Sequence, residues 1–182
     1  IPPEEKIVKN NVVTSLQSMF ERYGFFPLET PIIERFETLA AKGGAGTASD
    51  ALKETFTFQD QGKRKLGLRF ELTTSLARYV TQNPTLKLPF KRYEMGPVFR
   101  DGPIKLGRYR QFWQCDVDTI GTASMLADAE IVSLAQTFFN FWNLNVVIKV
   151  NNRKLLNGIL TQAGIKNKEN ALIAIDKLEK IG

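Results

Sequence analysis

The segment between Lys87 and Arg110 concentrates the side chains that are best suited to binding phosphate. It carries seven basic residues and two acidic ones, Glu94 and Asp101. The bases are Lys87, Lys91, Arg92, Arg100, Lys105, Arg108 and Arg110. A guanidinium group presents a planar fork of N–H donors that matches phosphate oxygens. The residue types therefore predict a site for a nucleotide or another polyanion.

Alternation along a strand would place several of these residues on one face. Side chains two positions apart point to the same side, so Arg108, Arg110, Phe112 and Gln114 share a face if this run is a strand. Arg100 can join them from a partner strand. Such a face offers guanidinium donors for phosphate and a ring on which a base can stack. The alternative from the pattern alone is a solvated basic face with Phe112 turned into the core.

Two charged residues, Arg69 and Glu71, interrupt an otherwise apolar stretch. A buried charge without a partner costs several kcal/mol, so both are expected to have structural or ligand partners. For Glu71 the structural alternative is a salt bridge to Arg69 or Arg78. Asp116 and Asp118 leave the same two interpretations open.

The composition excludes several kinds of chemistry. The 182 residues include no histidine and one cysteine, so the chain itself can build neither a Ser-His-Asp or Cys-His nucleophile nor a protein-bound zinc site. The net charge of +6 fits a polyanionic partner. The glycine-rich run at 43–46 matches no phosphate loop. No stretch reaches the roughly 18 apolar residues of a membrane helix, and a reducing, cytoplasmic location is expected.

The elements that would position these side chains are helices alternating with strand pairs. Helices are predicted over 3–23, from a Thr73 or Thr74 cap to Tyr79, and over 126–142, 154–163 and 171–181. Hairpins are predicted for 55–58 with 65–70 and for 90–100 with 108–119, single strands for 25–28 and 146–150, and a mobile loop for 40–50. Strands joined mainly by hairpins predict an α+β fold around an antiparallel sheet flanked by helices.

Three segments in this order resemble the histidyl-tRNA synthetases. They are Leu68-Arg69-Phe70-Glu71-Leu72-Thr73, Gly96-Pro97-Val98-Phe99-Arg100 and Gly107-Arg108-Tyr109-Arg110-Gln111-Phe112-Trp113-Gln114-Cys115-Asp116-Val117-Asp118. The resemblance runs over essentially the whole chain and implies an incomplete class II synthetase-like catalytic core over residues 1–182. Motif 1 would lie at about 12–35 and motif 2 at about 90–120, with motif 3 and the anticodon-binding domain absent.

The resemblance implies a role for each residue of the basic face. Arg100 matches the motif 2 arginine, which grips the α-phosphate of ATP while the histidine carboxylate attacks it. Phe112 matches the ring that stacks on adenine, and Arg108 matches an arginine near the phosphates. Motif 2 often has an acidic residue two positions after its arginine, where this chain has Gly102. This departure leaves open how the adenine amino group is held.

The resemblance also implies a pocket for the amino acid. Glu71 and Thr73 match contacts to the amino group of histidine, and Gln114 and Asp118 match residues that line the pocket and read the imidazole. Arg100 matches a contact to the same substrate. A carboxylate suits an ammonium or an imidazole N–H.

The implied protein is a cytoplasmic homodimer that uses ATP with Mg²⁺ to activate histidine and then charges tRNA(His). Pro31 matches the motif 1 proline at the dimer interface. This chain would be a fragment that does not aminoacylate by itself. One alternative is a catalytically silent relative such as the regulatory subunit of ATP phosphoribosyltransferase, and the presence of Arg100, Glu71, Gln114 and Asp118 argues against it. The other is an RNA-binding module, which leaves Glu71 and Asp118 unexplained.

Overall fold

A computed structural model describes residues 1–40, 53–104 and 106–181 of the chain. The predicted loop at 40–50 therefore falls, beyond Ala40, outside the described residues. The chain divides into two compact units, Ile1–Asn143 and Leu144–Gly182. In the described part of the chain, no helix is both long enough and apolar enough to cross a membrane.

The first unit holds both sheets and every residue of the predicted site. Its elements in chain order are α1 (Pro3–Arg22), β1 (Phe26–Pro27), β2 (Ile33–Arg35), α2 (Phe36–Ala40), β3 (Thr57–Gln59), β4 (Lys65–Leu68), α3 (Thr73–Gln82), β5 (Phe90–Phe99), β6 (Gln111–Ile120) and α4 (Met125–Phe141). The second unit contains α5 (Arg153–Gln162) and α6 (Lys168–Ile181).

The sheets follow the predicted hairpins. β5 and β6 pair antiparallel without interruption from Phe90 opposite Ile120 to Phe99 opposite Gln111. β2, β4 and β3 form a second antiparallel sheet in that order. β1 pairs parallel with β5. Parallel strands need a long crossover connection, and the second sheet and α3 lie between these two strands in the chain. The predicted α+β class with an antiparallel-rich sheet and flanking helices is confirmed.

The core lies on one face of the β5–β6 hairpin. Phe20 of α1, Phe25, Tyr93 of β5 and Leu134 of α4 form the buried cluster, and partly buried hydrophobics, Met95, Cys115 and Val117 among them, pack against it. These strand residues all have odd numbers, so the even-numbered side chains point to the opposite face. That opposite face is the one that carries the predicted site.

The predicted start of α3 is corrected by the structure. Neither threonine hydroxyl caps the helix, whose N-cap residue is Leu72 without a side-chain cap bond. The carboxylate of Glu71 instead accepts the backbone N–H groups of Thr73 and Thr74, at 2.7 and 2.8 Å. The helix also continues beyond Tyr79 to Gln82.

The predicted strand at residues 146–150 is wrong. This segment carries no regular element, and Val147 and Val150 are 86% and 71% exposed. A β-branched run becomes a strand when a neighbouring strand supplies hydrogen bonds. Among residues 144–181 the structure has helices and no strand with which it could pair.

Candidate active site

The even-numbered face of the β5–β6 hairpin brings most of the predicted residues together. Phe112 lies opposite Val98, Gln114 opposite Gly96 and Asp118 opposite Arg92. Asp116 lies between the last two and opposite Glu94. One alternating strand therefore presents a ring, an amide and two carboxylates along a single line.

A buried ion pair packs on this same face, beside Gly96. Nη1 of Arg69 lies 3.0 Å from Oε1 of Glu94, and both side chains are nearly inaccessible. Glu94 also accepts the backbone N–H and the hydroxyl of Thr30, at 2.9 and 2.7 Å. Arg69 donates to the carbonyls of Thr30 and Pro97. Its guanidinium occupies the space above Gly96, where a Cβ atom would lie 2.3 Å from Nη2. Arg69 therefore has a structural role.

Arg92 is fully buried at the acidic end of the same face, opposite Asp118. Its Nη2 lies 2.8 Å from Oδ2 of Asp118, and its Nη1 lies 3.6 Å from Oε2 of Glu94. Burying a charge costs several kcal/mol, which the two carboxylates offset here. Sequence reasoning counted Arg92 among the bases but did not assign it to the site. The one feature of the sequence that could have assigned Arg92 to the site is its position opposite Asp118 when the two strands of the hairpin are aligned.

Gln114 is oriented by its neighbour on the same face. Its Nε2 lies 3.3 Å from both carboxylate oxygens of Asp116. Its Oε1 is buried and has no hydrogen-bond partner within the described residues. Burial raises the pKa of Asp116, Arg92 opposes this increase, and the charges of Asp118 and Glu71 add to it. The amide therefore presents an acceptor to a ligand, while Asp116 serves as its partner.

Glu71 lies at the junction between β4 and α3, beside the acidic end of the face. The carbonyl of the next residue, Leu72, accepts a hydrogen bond from Nη2 of Arg92 at 3.4 Å, and the charge of Glu71 contributes to raising the pKa of Asp116. Half-burial by itself would raise the pKa of Glu71, but hydrogen bonds from Thr74 and Thr73 outweigh it and lower the pKa to about 2. The arginines considered as its structural partners bind elsewhere, Arg69 to Glu94 and Arg78 to Glu34 at 2.6 Å.

Beyond the end of β5 the same face opens into a cavity of about 300 Å³. Its lining contains all three residues predicted to bind ATP. The lining residues are Glu54, Arg100, Gly102, Pro103, Gly107, Arg108, Tyr109 and Phe112. Phe112 therefore faces the cavity, and the interpretation that turned it into the core is wrong. Arg110 is not in the lining, and its Nη2 lies 3.5 Å from Oδ1 of Asp101.

Arg100 is held at the edge of this cavity by two rings. Its guanidinium carbon lies 4.4 Å from the ring centroid of Phe70 and 4.8 Å from that of Phe112. Its Nε donates to the carbonyl of Phe70 at 3.4 Å, and its backbone N–H donates to the carbonyl of Arg110. A stacked guanidinium keeps its in-plane N–H donors available. The cavity thus combines fixed positive charge with an aromatic wall.

The sequence analysis missed two lining residues with polar side chains, Glu54 and Tyr109. Glu54 precedes β3 and is distant in sequence from the rest of the lining. The available signal was indirect, since Gly102 stands where an acidic residue was expected. Within the described residues, no group of three or more acidic or cysteine side chains could hold a metal ion.

Pro31, the predicted interface residue, lies on the surface among exposed apolar side chains. Phe26 of β1 is 68% exposed, and Ile32 and Ile33 are 40% and 50% exposed. This apolar surface on β1 and β2 belongs to elements outside the hairpin that carries the cavity.

Comparison with known proteins identifies one family. The histidyl-tRNA synthetase family model matches residues 1–178. Histidine–tRNA ligase 1 of Bacillus cereus is 50% identical over 99% of this chain, which spans 41% of that relative's length. The crystal structure of histidyl-tRNA synthetase from Nostoc sp. PCC 7120 matches with a TM-score of 0.81 and 33% identity, over 97% of this chain and 41% of that one.

A third match shows the fold alone. An ATP phosphoribosyltransferase regulatory subunit/histidyl-tRNA synthetase from Bacillus halodurans has a TM-score of 0.65 at 24% identity, over 76% of this chain and 35% of that one. The Bacillus cereus and Nostoc proteins are stronger evidence of family membership, because they match nearly all of the chain at higher identity. The chain therefore belongs to the histidyl-tRNA synthetase family.

Proposed function

We propose that the protein containing this chain is a cytoplasmic histidine–tRNA ligase. It activates histidine with ATP to histidyl-adenylate and transfers the histidyl group to tRNA(His), and this chain supplies motifs 1 and 2. The observation that carries the proposal is the arrangement of the β5–β6 hairpin. One face of it carries a cationic, aromatic cavity at one end and a row of acceptors, Gln114, Asp116 and Asp118, along β6. Membership of the histidyl-tRNA synthetase family supports the same assignment.

ATP would bind in the cavity with its polyphosphate toward Arg100 and Arg108. Its Mg²⁺ would arrive as part of the nucleotide, since magnesium at such sites is held largely by substrate phosphates and water. Phe112 supplies the wall on which adenine stacks. When a histidine carboxylate oxygen bonds to the α-phosphorus, the bond to the bridging oxygen breaks and pyrophosphate leaves. Arg100, already fixed between Phe70 and Phe112, stabilises the charge that develops on the α-phosphate.

Histidine would bind at the acidic end of the face. Asp118, held by Arg92, and Oε1 of Gln114 are acceptors for the imidazole N–H. Glu71 remains ionised at neutral pH because its pKa is low, so its charge suits the α-ammonium group. Thr73, exposed beside it at the start of α3, adds a hydroxyl within reach of the same group. This division leaves the carboxylate of histidine directed toward Arg100.

A homodimer is part of the proposal. The apolar side chains around Pro31 are the surface that a second copy would cover, as the resemblance to motif 1 implies. A C2 interface uses the same patch on both subunits, which suits a short, self-complementary apolar strip.

The decisive experiment is histidine-dependent ATP–pyrophosphate exchange by the complete protein, meaning this chain with whatever sequence accompanies it naturally. We expect Arg100→Ala to lower exchange about 100-fold, since one preorganised donor contributes about 3 kcal/mol. Histidine binding measured by calorimetry should change only a few-fold. Arg110→Ala, which removes a nearby arginine outside the cavity, is the control. Histidine binding without exchange in the wild type would favour the silent regulatory relative instead.

A further inference from the structure

Glu54 is placed against the motif 2 loop by both its backbone and its side chain. Its carbonyl accepts the backbone N–H of Asp101 at 2.6 Å. A Cβ atom on Gly102 would lie 3.2 Å from Cδ and Oε2 of Glu54 and 3.3 Å from Oε1. The carboxylate therefore lies directly on the glycine, and the missing side chain at position 102 is what makes room for it.

Charge restricts what this carboxylate can contact. Among the described lining residues of the cavity, Arg100 and Arg108 are the cations and Glu54 is the one acid. A carboxylate repels a polyphosphate, whose oxygens pair with the two arginines. An ionised carboxylate accepts hydrogen bonds and donates none, so it suits a donor on the ligand. A nucleotide bound with its phosphates at the arginines has such a donor in the exocyclic amine of adenine.

We propose that Glu54 selects the nucleotide, with its carboxylate accepting a hydrogen bond from the exocyclic amine of ATP. The assignment rests on the proposed function for the identity of the ligand. It accounts for Gly102, since the acid comes from the segment before β3 and the motif 2 loop needs none of its own. It also gives the cavity a polarity, with phosphate at the arginines and the base edge at Glu54.

The test compares ATP with inosine triphosphate, which carries a carbonyl oxygen in place of the amine. Dissociation constants of both are measured by calorimetry on the complete protein. A hydrogen bond to a charged group corresponds to about 10- to 100-fold in binding, so the wild type should prefer ATP by about that factor. In Glu54→Ala the preference should fall to within about 3-fold, mainly through weaker ATP binding. Glu54→Gln should also lose most of the preference, because its amide can accept from the amine of ATP or donate to the carbonyl of inosine triphosphate.

Asp101→Asn is the matched control. It removes a carboxylate from the adjoining loop that does not line the cavity, and it should leave the preference unchanged. Gly102→Ala is a second test in a chain that keeps Glu54. The added methyl group displaces the carboxylate by a few tenths of an ångström and should reduce the preference. The same change should have no effect on the preference in the Glu54→Ala background.

Two results would overturn the assignment. The wild type could bind both triphosphates equally, or Glu54→Ala could weaken both by the same factor. The second result would mean that Glu54 contacts the nucleotide's Mg²⁺ or merely supports the loop. Failure of the proposed function looks different: the wild type would prefer ATP, the preference would depend on Glu54, and histidine-dependent exchange would be absent.

Discussion

Several residues of the candidate site combine a structural role with a proposed binding role, and Glu71 is the clearest case. Its carboxylate accepts the N–H groups that open α3, and the same charge is the proposed partner of the histidine ammonium. Arg92 and Asp116 are similar, since each holds a neighbouring polar side chain in place while balancing buried charge. Substitutions at these positions therefore change stability as well as binding, and the two effects need separate measurements.

The role of Glu71 in stability predicts a defined pH dependence. Its pKa is lowered from 4.5 to about 2 in the folded state, so its stabilising effect is fully present above pH 4.5 and is lost as the pH falls through 2. Glu71→Gln should lower the free energy of unfolding by about 1 kcal/mol at neutral pH, as the loss of a helix cap does. The difference from wild type should shrink as the pH falls from 4.5 toward 2.

Urea unfolding over a pH series measures this difference. Glu29→Gln, which removes an exposed carboxylate from a loop, should shift stability by less than about 0.5 kcal/mol. Identical urea midpoints for wild type and Glu71→Gln at pH 7 would contradict the capping role.

At the scale of elements, the β5–β6 hairpin separates packing from chemistry by simple alternation. Its odd-numbered side chains pack on α1 and α4, and its even-numbered ones form the site. Neither set can shift by one residue without burying charges and exposing the core. The hairpin is therefore held in register from both sides, which keeps Phe112, Gln114 and Asp118 at fixed spacing.

Gly96 of β5 lies directly against the buried ion pair of Arg69 and Glu94. Alanine would place a Cβ atom 2.3 Å from Nη2 of Arg69, which is held by Glu94, Thr30 and Pro97. A flexible arginine would simply move away, but this one is 3% exposed, and its Nε and Nη1 are held by hydrogen bonds. We expect Gly96→Ala to destabilise the protein by about 3 kcal/mol, the cost of disrupting a buried ion pair, despite the better strand propensity of alanine.

Thermal or urea unfolding measures the effect of Gly96→Ala. Gly62→Ala provides the control, because a Cβ atom there meets nothing closer than 3.4 Å. Its effect should stay within about 0.5 kcal/mol. A wild-type melting curve for Gly96→Ala would mean that Arg69 can relocate at no cost.

At the scale of the whole molecule, exposed apolar side chains flank Pro31 in sequence. Phe26 of β1, Ile32, and Ile33 of β2 are all at least 40% exposed. Both strands lead directly into residues that hold the site, β1 through its pairing with β5 and β2 through its pairing with β4. A second copy on this surface would therefore stabilise the framework of the site as well as the dimer.

Phe26→Asp should dissociate the proposed homodimer. A large exposed aromatic at the centre of an interface commonly contributes 2 kcal/mol or more, so the dimer dissociation constant should rise by about 30-fold or more. Sedimentation of the complete protein across a concentration series measures this constant. Leu126→Asp, at a comparably exposed position in the first turn of α4, should leave it unchanged. A dimer that tolerates Phe26→Asp would place the interface elsewhere.

Much of the architecture follows from local sequence. The alternation of residues 90–100 and 108–119 with turn residues between them predicts the hairpin, and helical spacing predicts α1 and α4 within two residues at each end. Three residues of the cavity were also predicted as a group, because Arg100, Arg108 and Phe112 lie close together in sequence around the ends of β5 and β6. Periodicity and turn chemistry act over a few residues, so the sequence displays them directly.

Tertiary structure alone decided the contacts between distant segments. Arg92 meets Asp118 across the hairpin, Glu54 fills the space left by Gly102, and Arg69 lies over Gly96, none of which the sequence patterns indicated. The strand predicted at 146–150 failed for the same reason, because a strand depends on a partner that its own residues do not specify. Residue type and spacing determined which groups could do chemistry, while burial and cross-strand register determined which of them are held ready for it.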